Sequence, residues 1–174
     1  KVHTFTGAGT FTVTCAGNTL GSSTVDYLTV AGGGGGGFDG GGGGGAGGYR
    51  ESPGTASGSY AVSPLGTSPA VALPVTATGF PITVGGGGAT STAAPGQGTN
   101  GNQSSFSTIT SAGGGGGGGC GSCLQDGRAG GSGGGVGRSD GGGGGHTAGA
   151  GNTPPTSPSQ GNPGGTISPN PSFA

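Results

Sequence analysis

Glycine runs through this sequence in unbroken blocks, and those blocks decide what the chain can fold into. Gly32 to Gly37 and Gly40 to Gly45 are separated only by Phe38 and Asp39, and Gly85 to Gly88, Gly113 to Gly119 and Gly141 to Gly145 follow. A broken run spans Gly130 to Gly135 with Ser132 inside it. A collagen triple helix needs glycine at every third position, so blocks of this kind exclude it. Two states remain: floppy Gly/Ser spacers, and rods of polyproline-II-like polyglycine packed into a lattice. Solvated disorder usually carries high net charge, whereas this chain has a net charge of −1 from 4 basic and 5 acidic residues. The blocks of six, six, seven and five residues are also matched in length, which spacers do not need. Order is the expectation.

The physical reason lies in the backbone. A polyproline-II helix has three residues per turn, a rise of ~3.1 Å per residue and no internal hydrogen bonds. Every N–H and C=O therefore points outward and needs a partner. Neighbouring rods supply those partners only on close approach, which a Cβ facing the neighbour would block and glycine permits. A block of six or seven glycines makes about two turns, roughly 20 Å of rod. Such rods form a sandwich held by backbone hydrogen bonds and Cα–H···O contacts rather than by apolar burial. Glycine also loses more conformational freedom on folding than any other residue, so the lattice must be cooperative and other segments must fix where each rod begins.

Those other segments read as β. In residues 1–31, Thr4-Phe5-Thr6 and Thr10 to Cys15 alternate around a Gly-Ala-Gly turn, with Phe5, Phe11, Val13 and Cys15 on one face; Val25 to Val30 is a further strand. Within the glycine-rich region 32–151, strands are expected at 59–84, where Pro64, Pro69, Pro74 and Pro81 restrict the chain to edge strands or extended connections, and at 105–110. Residues 152–174 form a Pro/Ser-rich extended tail, docked or mobile. No window has helical apolar periodicity. The expected fold is therefore mainly β and irregular: a small antiparallel β layer plus a bundle of polyglycine-II helices, with no α-helix.

Composition also removes function classes. Four basic residues cannot make the clustered positive surface of a nucleic-acid binder, and no apolar run approaches the ~20 residues of a membrane-spanning helix. The chain has no Met, even at its start, which suggests a processed product or part of a longer polypeptide. The CxxC of Cys120 and Cys123 has no helix N-terminus to lower a thiol pKa, and with Cys15, His3 and His146 it shows no zinc-ligand spacing. Disulfide use fits better, either within that loop or from one of its cysteines to Cys15. His3 or His146 with Asp126 or Asp140 makes no recognisable catalytic set, and no nucleophile elbow or phosphate loop is present. No catalytic residue, metal or cofactor is assigned. Asn102-Gln103-Ser104 is the one N-glycosylation sequon.

The residues with real side chains between the glycine blocks are the binding candidates: Phe38, Asp39, Tyr49, Arg50, Leu124, Gln125, Asp126, Arg128, Arg138 and His146. Aromatic and arginine side chains on loops over a stiff scaffold make good anchors. The plainer reading is that Arg50 with Glu51 or Asp39, and Arg128 with Asp126, form exposed ion pairs of little energetic value.

Val25-Asp26-Tyr27-Leu28-Thr29-Val30-Ala31 running into Gly32 to Gly37 resembles the glycine-rich domain of bacteriophage tail and tail-fibre proteins. The same pattern takes in His3 to Val13, Gly47-Gly48-Tyr49-Arg50, Phe80 to Gly88, and Asn102 to Phe106 followed by Gly113 to Gly119. The chain is also similar in logic to phage adhesins whose polyglycine-II sandwich displays host-recognition loops. The resemblance implies a virion-associated, non-enzymatic receptor-binding tip whose partners are a host surface receptor and other fibre subunits. Gly164-Gly165-Thr166-Ile167 leads into Ser168-Pro169-Asn170-Pro171 instead of the family's apolar closing strand. That keeps a structural subunit of an extracellular filament as the alternative. An ice-binding protein ranks third, because the blocks lack a regular Gly-x-x face. Low charge and unpaired rod edges favour a homo-oligomer, with the tail packed on a neighbour or on the bundle's own outer rods.

Overall fold

A computed structural model of the chain describes residues 1–18, 21–54, 70–94, 96–120, 125–138 and 145–166. Among these residues there is no α-helix, and the strands are β1 (Gly9–Thr12), β2 (Thr24–Val25), β3 (Leu28–Val30), β4 (Tyr49–Glu51), β5 (Leu73–Pro74), β6 (Gly79–Thr83), β7 (Ser104–Phe106) and β8 (Ile109–Ser111). They pair antiparallel as a four-stranded sheet in the order β1-β6-β7-β8 and as two ribbons, β2-β5 and β3-β4. The register puts Phe11 opposite Phe80 and Ile82 opposite Phe106. Phe106 then meets Phe11 and Phe80 edge-on, with ring centroids 5.8 and 6.3 Å apart.

The structure departs from the sequence expectation in five places. β6, with Pro81, is an interior strand between β1 and β7 rather than an edge strand or a connection; Pro81 meets the β7–β8 turn through its carbonyl, which accepts the Ser107 N–H, so its missing N–H leaves no bond unmade there. Thr4-Phe5-Thr6 is not a strand. Residues 105–110 form a hairpin rather than one strand, turning at Ser107 and Thr108 with Ser107 at φ 54°, a positive φ as the first loop position of a type II′ turn requires. Val25 to Val30 divides between two ribbons because Val25 pairs with Leu73 whereas Leu28 to Val30 pair with residues 49–51. The fully buried Ser52 holds the break: its Oγ accepts the Tyr27 N–H at 3.1 Å and donates to Asp26 Oδ1 at 2.7 Å. In β3 it is Thr29 that is buried, while Leu28 and Val30 are exposed. Ser111, also buried, donates its hydroxyl to the Thr29 carbonyl at this point. Of the 59–84 segment, residues 55–69 lie outside the described residues.

The glycine runs are extended rods with a strict three-residue period. Ala31, Gly34 and Gly37 donate N–H groups to Gly48, Gly45 and Gly42, so 41–48 runs antiparallel to 31–38. Gly32, Gly35 and Phe38 donate to Asn102, Thr99 and Gly96, another antiparallel neighbour. Gly114, Gly117 and Cys120 donate in turn to Gly32, Gly35 and Phe38, from a parallel one. Each third residue thus addresses the same neighbour, as three residues per turn demands. Nine such runs among the described residues are linked in this way. The pairings place them in three layers: 85–91, 31–38 and 41–48; then 96–102, 112–120, 130–138 and 161–165; then 125–130 and 147–151. Run 112–120 lies at the centre and bonds to five others. Residues 161–165 of the tail are one of the rods, through Gly133 N–H to Asn162 and Val136 N–H to Gly165, so the lattice continues past Asn152.

Among the described residues, buried apolar side chains are few and scattered: Tyr27, Ala31, Val75, Cys120 and Val136. Close packing comes from backbone instead. A Cβ on Gly114, Gly116 or Gly117 of the central rod would fall on the carbonyls of Gly45, Gly98 and Gly42 respectively. On the outer rod 31–38 only every third position is roomy: Gly33 and Gly36 meet nothing nearer than 3.6 and 3.8 Å, whereas Gly34 and Gly35 collide with Gly115 and Ala89. This contrast makes a direct test. Gly117→Ala should destabilise by about 1–3 kcal/mol, lowering the melting temperature by several degrees. Gly36→Ala should leave it unchanged or raise it slightly, because alanine restricts the unfolded chain at a position it fits. Equal effects of the two substitutions on thermal unfolding would contradict the lattice.

Candidate functional site at the loop end of the bundle

All the strands lie at one end of the rods. Runs 31–38, 85–91 and 112–120 each leave a strand, and 41–48 and 96–102 each lead into one. The opposite end therefore holds the turn at 38–41 and the rod ends at 91, 96, 120, 125, 138, 147 and 165. Candidates scattered along the sequence converge there. Phe38, half-buried, donates its N–H to Gly96 and accepts that of Cys120. Asp39 and Gly40 turn the chain with φ of 42° and 66°, the two consecutive left-handed residues of a type I′ turn. Arg138, exposed, ties its rod to this turn by donating its N–H to Gly40 at 3.0 Å. Gln125 accepts the Gly137 N–H and is only 4 % exposed, and its Oε1 has no hydrogen-bond partner among the described residues.

Beside it, Asp126 organises a small polar cluster. Its Oδ1 accepts the Thr147 N–H at 2.6 Å and the Thr147 hydroxyl at 3.3 Å, and lies 3.6 Å from His146 Nδ1. Its carbonyl accepts Gln97 Nε2 at 2.6 Å. The Thr147 backbone N–H is the main reason that the Asp126 carboxyl is held below its ordinary value of 3.8; burial opposes this, and the Thr147 hydroxyl and His146 add to it. Arg128 is not Asp126's partner. It sits exposed partway down the rod, with its N–H on the Gly116 carbonyl, so the expected 126–128 ion pair is replaced by contacts to 146 and 147.

Tyr49 and Arg50 lie at the other end, in β4. The Tyr49 hydroxyl donates to Glu51 Oε2 at 2.7 Å and Arg50 Nη1 to the Thr110 carbonyl at 3.3 Å, which makes them fasteners of the sheet layer and separates Arg50 from Asp39 by the length of the bundle. Leu124, Cys123 and Asp140 lie outside the described residues. Cys15 carries a free, exposed thiol, so a bridge from it to the buried Cys120 is not made. In the sequon, Ser104 is buried and takes the Gly85 N–H on its hydroxyl. Among the described residues no three His, Cys, Asp or Glu side chains come together as metal ligands would.

Several structural polar residues give no signal in the sequence. Gln160 is 1 % exposed; its Oε1 accepts the Ala112 N–H and its Nε2 donates to the Pro154 carbonyl, both at 2.7 Å. Asn100 accepts the Gly116 N–H at 3.0 Å and donates to the Ala129 carbonyl at 3.0 Å. Each amide side chain stands in for a peptide group, a role that composition and spacing do not mark.

Asp126 also sets a pH dependence. A carboxylate whose folded pKa is depressed adds stability above its unfolded value, and that stability is lost as pH falls from 3.8 through the lower folded value. Asp126→Asn retains an acceptor for Thr147 and removes the charge. Melting curves taken below about pH 4 should therefore fall less steeply for the variant than for the parent chain. The difference will be modest because the side chain is 57 % exposed; a steeper fall in the variant would refute the assignment.

No curated protein and no solved structure matches the chain. A family model does, over residues 5–172, nearly its whole length, and by that match the chain belongs to the glycine-rich domain family.

Proposed function

We propose that this chain is a non-enzymatic, virion-associated tail-fibre or adhesin protein that binds a host cell-surface receptor through the loop end of its glycine bundle. The observation that supports this is the gathering of Phe38, Asp39, Gln125, Asp126, Arg138 and His146 at the end opposite the sheets. A backbone lattice is a stiff mount, and binding residues on loops over a rigid scaffold lose little entropy on engagement. The sheet end, with Tyr49 and Arg50 engaged in fastening β4, is the side that faces the rest of the fibre. Saturable binding of the labelled chain to a panel of bacterial cells tests the reading. The triple variant Asp39→Ala, Arg138→Ala, His146→Ala should bind about tenfold or more weakly, while Thr83→Ala at the sheet end should bind as the parent does. Loss of binding in neither variant, or no binding to any cell, would overturn it.

A structural subunit of an extracellular filament is the second reading. It is favoured by the outer run 85–91, where Gly86 and Gly87 are exposed and carry no charge to repel another copy. Negative-stain microscopy separates the two: discrete particles fit the tip, indefinite polymers the filament.

A further inference from the structure

Each rod in the lattice directs its N–H groups three ways and its carbonyls three other ways, repeating every third residue. Run 130–138 displays the rule. Ser132 and Gly135 donate to Ala46 and Gly43, Gly133 and Val136 to Asn162 and Gly165, and Gly134 and Gly137 to Arg128 and Gln125. Its carbonyls at 132 and 135 receive Gly115 and Gly118, and those at 131 and 134 receive Asn152 and Gly149. One carbonyl direction is left along the rod, that of Gly133 and Val136, and the three-fold rotation aims it between runs 41–48 and 161–165; only at the bend where the run begins does the Gly130 carbonyl receive the Thr153 N–H. Among the described residues no donor meets the Gly133 and Val136 carbonyls, although both residues are buried.

The two flanking rods face the same groove. Rotation by one residue from Gly42 and Gly45, which donate to run 112–120, aims the N–H groups of Gly43 and Ala46 into it. The same step from Gly164, which donates to Gly149, aims those of Asn162 and Gly165 into it from the other wall. A Cβ built on Gly135 would lie 3.5 Å from Gly43 N and 3.6 Å from the Gly165 carbonyl, which places these three glycines around one space. Gly43 and Gly165 have nothing within 4 Å of an added Cβ, so the mouth is open.

The comparable position on the other side of the bundle, between runs 96–102 and 125–130, is closed by side chains. There Asn100 takes the Gly116 N–H and donates to Ala129, and Gln97 donates to the Asp126 carbonyl. Two amides thus do the work of a neighbouring rod's peptide groups. The groove at Gly135 has no such amide bridge among the described residues. It presents two carbonyls and four N–H groups, paired at three-residue spacing on each wall, about one turn or roughly 9 Å of rod.

We propose that this groove binds an extended glycine-rich segment of a partner polypeptide as an additional polyglycine rod, a lattice counterpart of strand addition at a sheet edge. The chemistry of the occupant follows from the walls. It must offer N–H groups to Gly133 and Val136 and carbonyls to the four donors, so it must be extended with a three-residue period. It must lack Cβ atoms where it faces the neighbouring backbones, so alanine or proline cannot replace glycine there. The inference does not rest on the receptor reading, which concerns the loop end.

The probe is a peptide with the sequence of residues 31–38 flanked by lysines for solubility, titrated into the full chain and followed by amide resonances. The amides of Gly43, Ala46, Asn162 and Gly165 should shift and gain protection from hydrogen exchange. Gly43→Leu and Gly165→Leu each cover the mouth at a position with room for a side chain, so they should weaken binding about tenfold or more with an unchanged thermal transition. The peptide with alanine in place of glycine should not bind. The proposal fails if the glycine peptide does not bind, if the alanine peptide binds equally, or if both leucine variants bind as the parent does. It fails too if those four amides are already protected in the chain alone, since the chain's own residues then fill the groove.

Discussion

The backbone hydrogen bond between glycine rods is the interaction on which everything else here depends. Elsewhere the backbone satisfies itself within a helix or along a strand, and side chains decide which elements pack. Here a rod makes no bond within itself, so each N–H and C=O is an intermolecular-style contact between segments distant in sequence. Each such bond contributes only about 1 kcal/mol net, and glycine's lost freedom opposes it. The structure stands because the bonds are shared: the run 112–120 bonds to five neighbours, and no rod could keep its geometry if several of those left.

The β segments supply what the lattice lacks, a register. A run of identical residues can slide by three and pair as before, so something outside it must set its phase. β3 and β4 clamp the starts of runs 31–38 and 41–48 through Leu28–Glu51, Thr29–Arg50 and Val30–Tyr49. The hairpin of β7 and β8 does the same for 96–102 and 112–120. At the far end the Asp39–Gly40 turn holds two rods in antiparallel phase. The sheets and turns act as locks, and β3 turns Thr29 inward and Leu28 outward beside the buried Ser111, whose hydroxyl meets the Thr29 carbonyl.

The side chains beyond these locks fall into two groups with different work. Ser52, Asn100, Ser111 and Gln160 complete hydrogen bonding where the rods or sheets leave a peptide group unmet. Phe38, Asp39, Asp126, Arg138 and His146 collect at the loop end, where the lattice stops and side chains are free of its spacing. The separation follows from geometry: within the bundle a Cβ has room only at outward positions, so chemistry is confined to ends and rims.

The glycine blocks alone determined the class of fold. Blocks of six and seven residues without charge have one ordered solution, close-packed extended rods, and the requirement for absent Cβ atoms is written directly in the composition. The strand-forming residues around Phe11, Phe80 and Ile82 were legible too, since alternation is a local property. The hairpin at Ser107, the division of Val25 to Val30 and the entry of residues 161–165 into the lattice were not. Each depends on which partner lies alongside, and a glycine run carries no side-chain pattern to name its partner. The candidates themselves could be picked out as the residues between blocks. Only the tertiary structure sorted Tyr49 and Arg50 to the sheet end and Phe38, Asp126, Arg138 and His146 to the other, because direction up or down the bundle is set by rod pairing over long sequence separations.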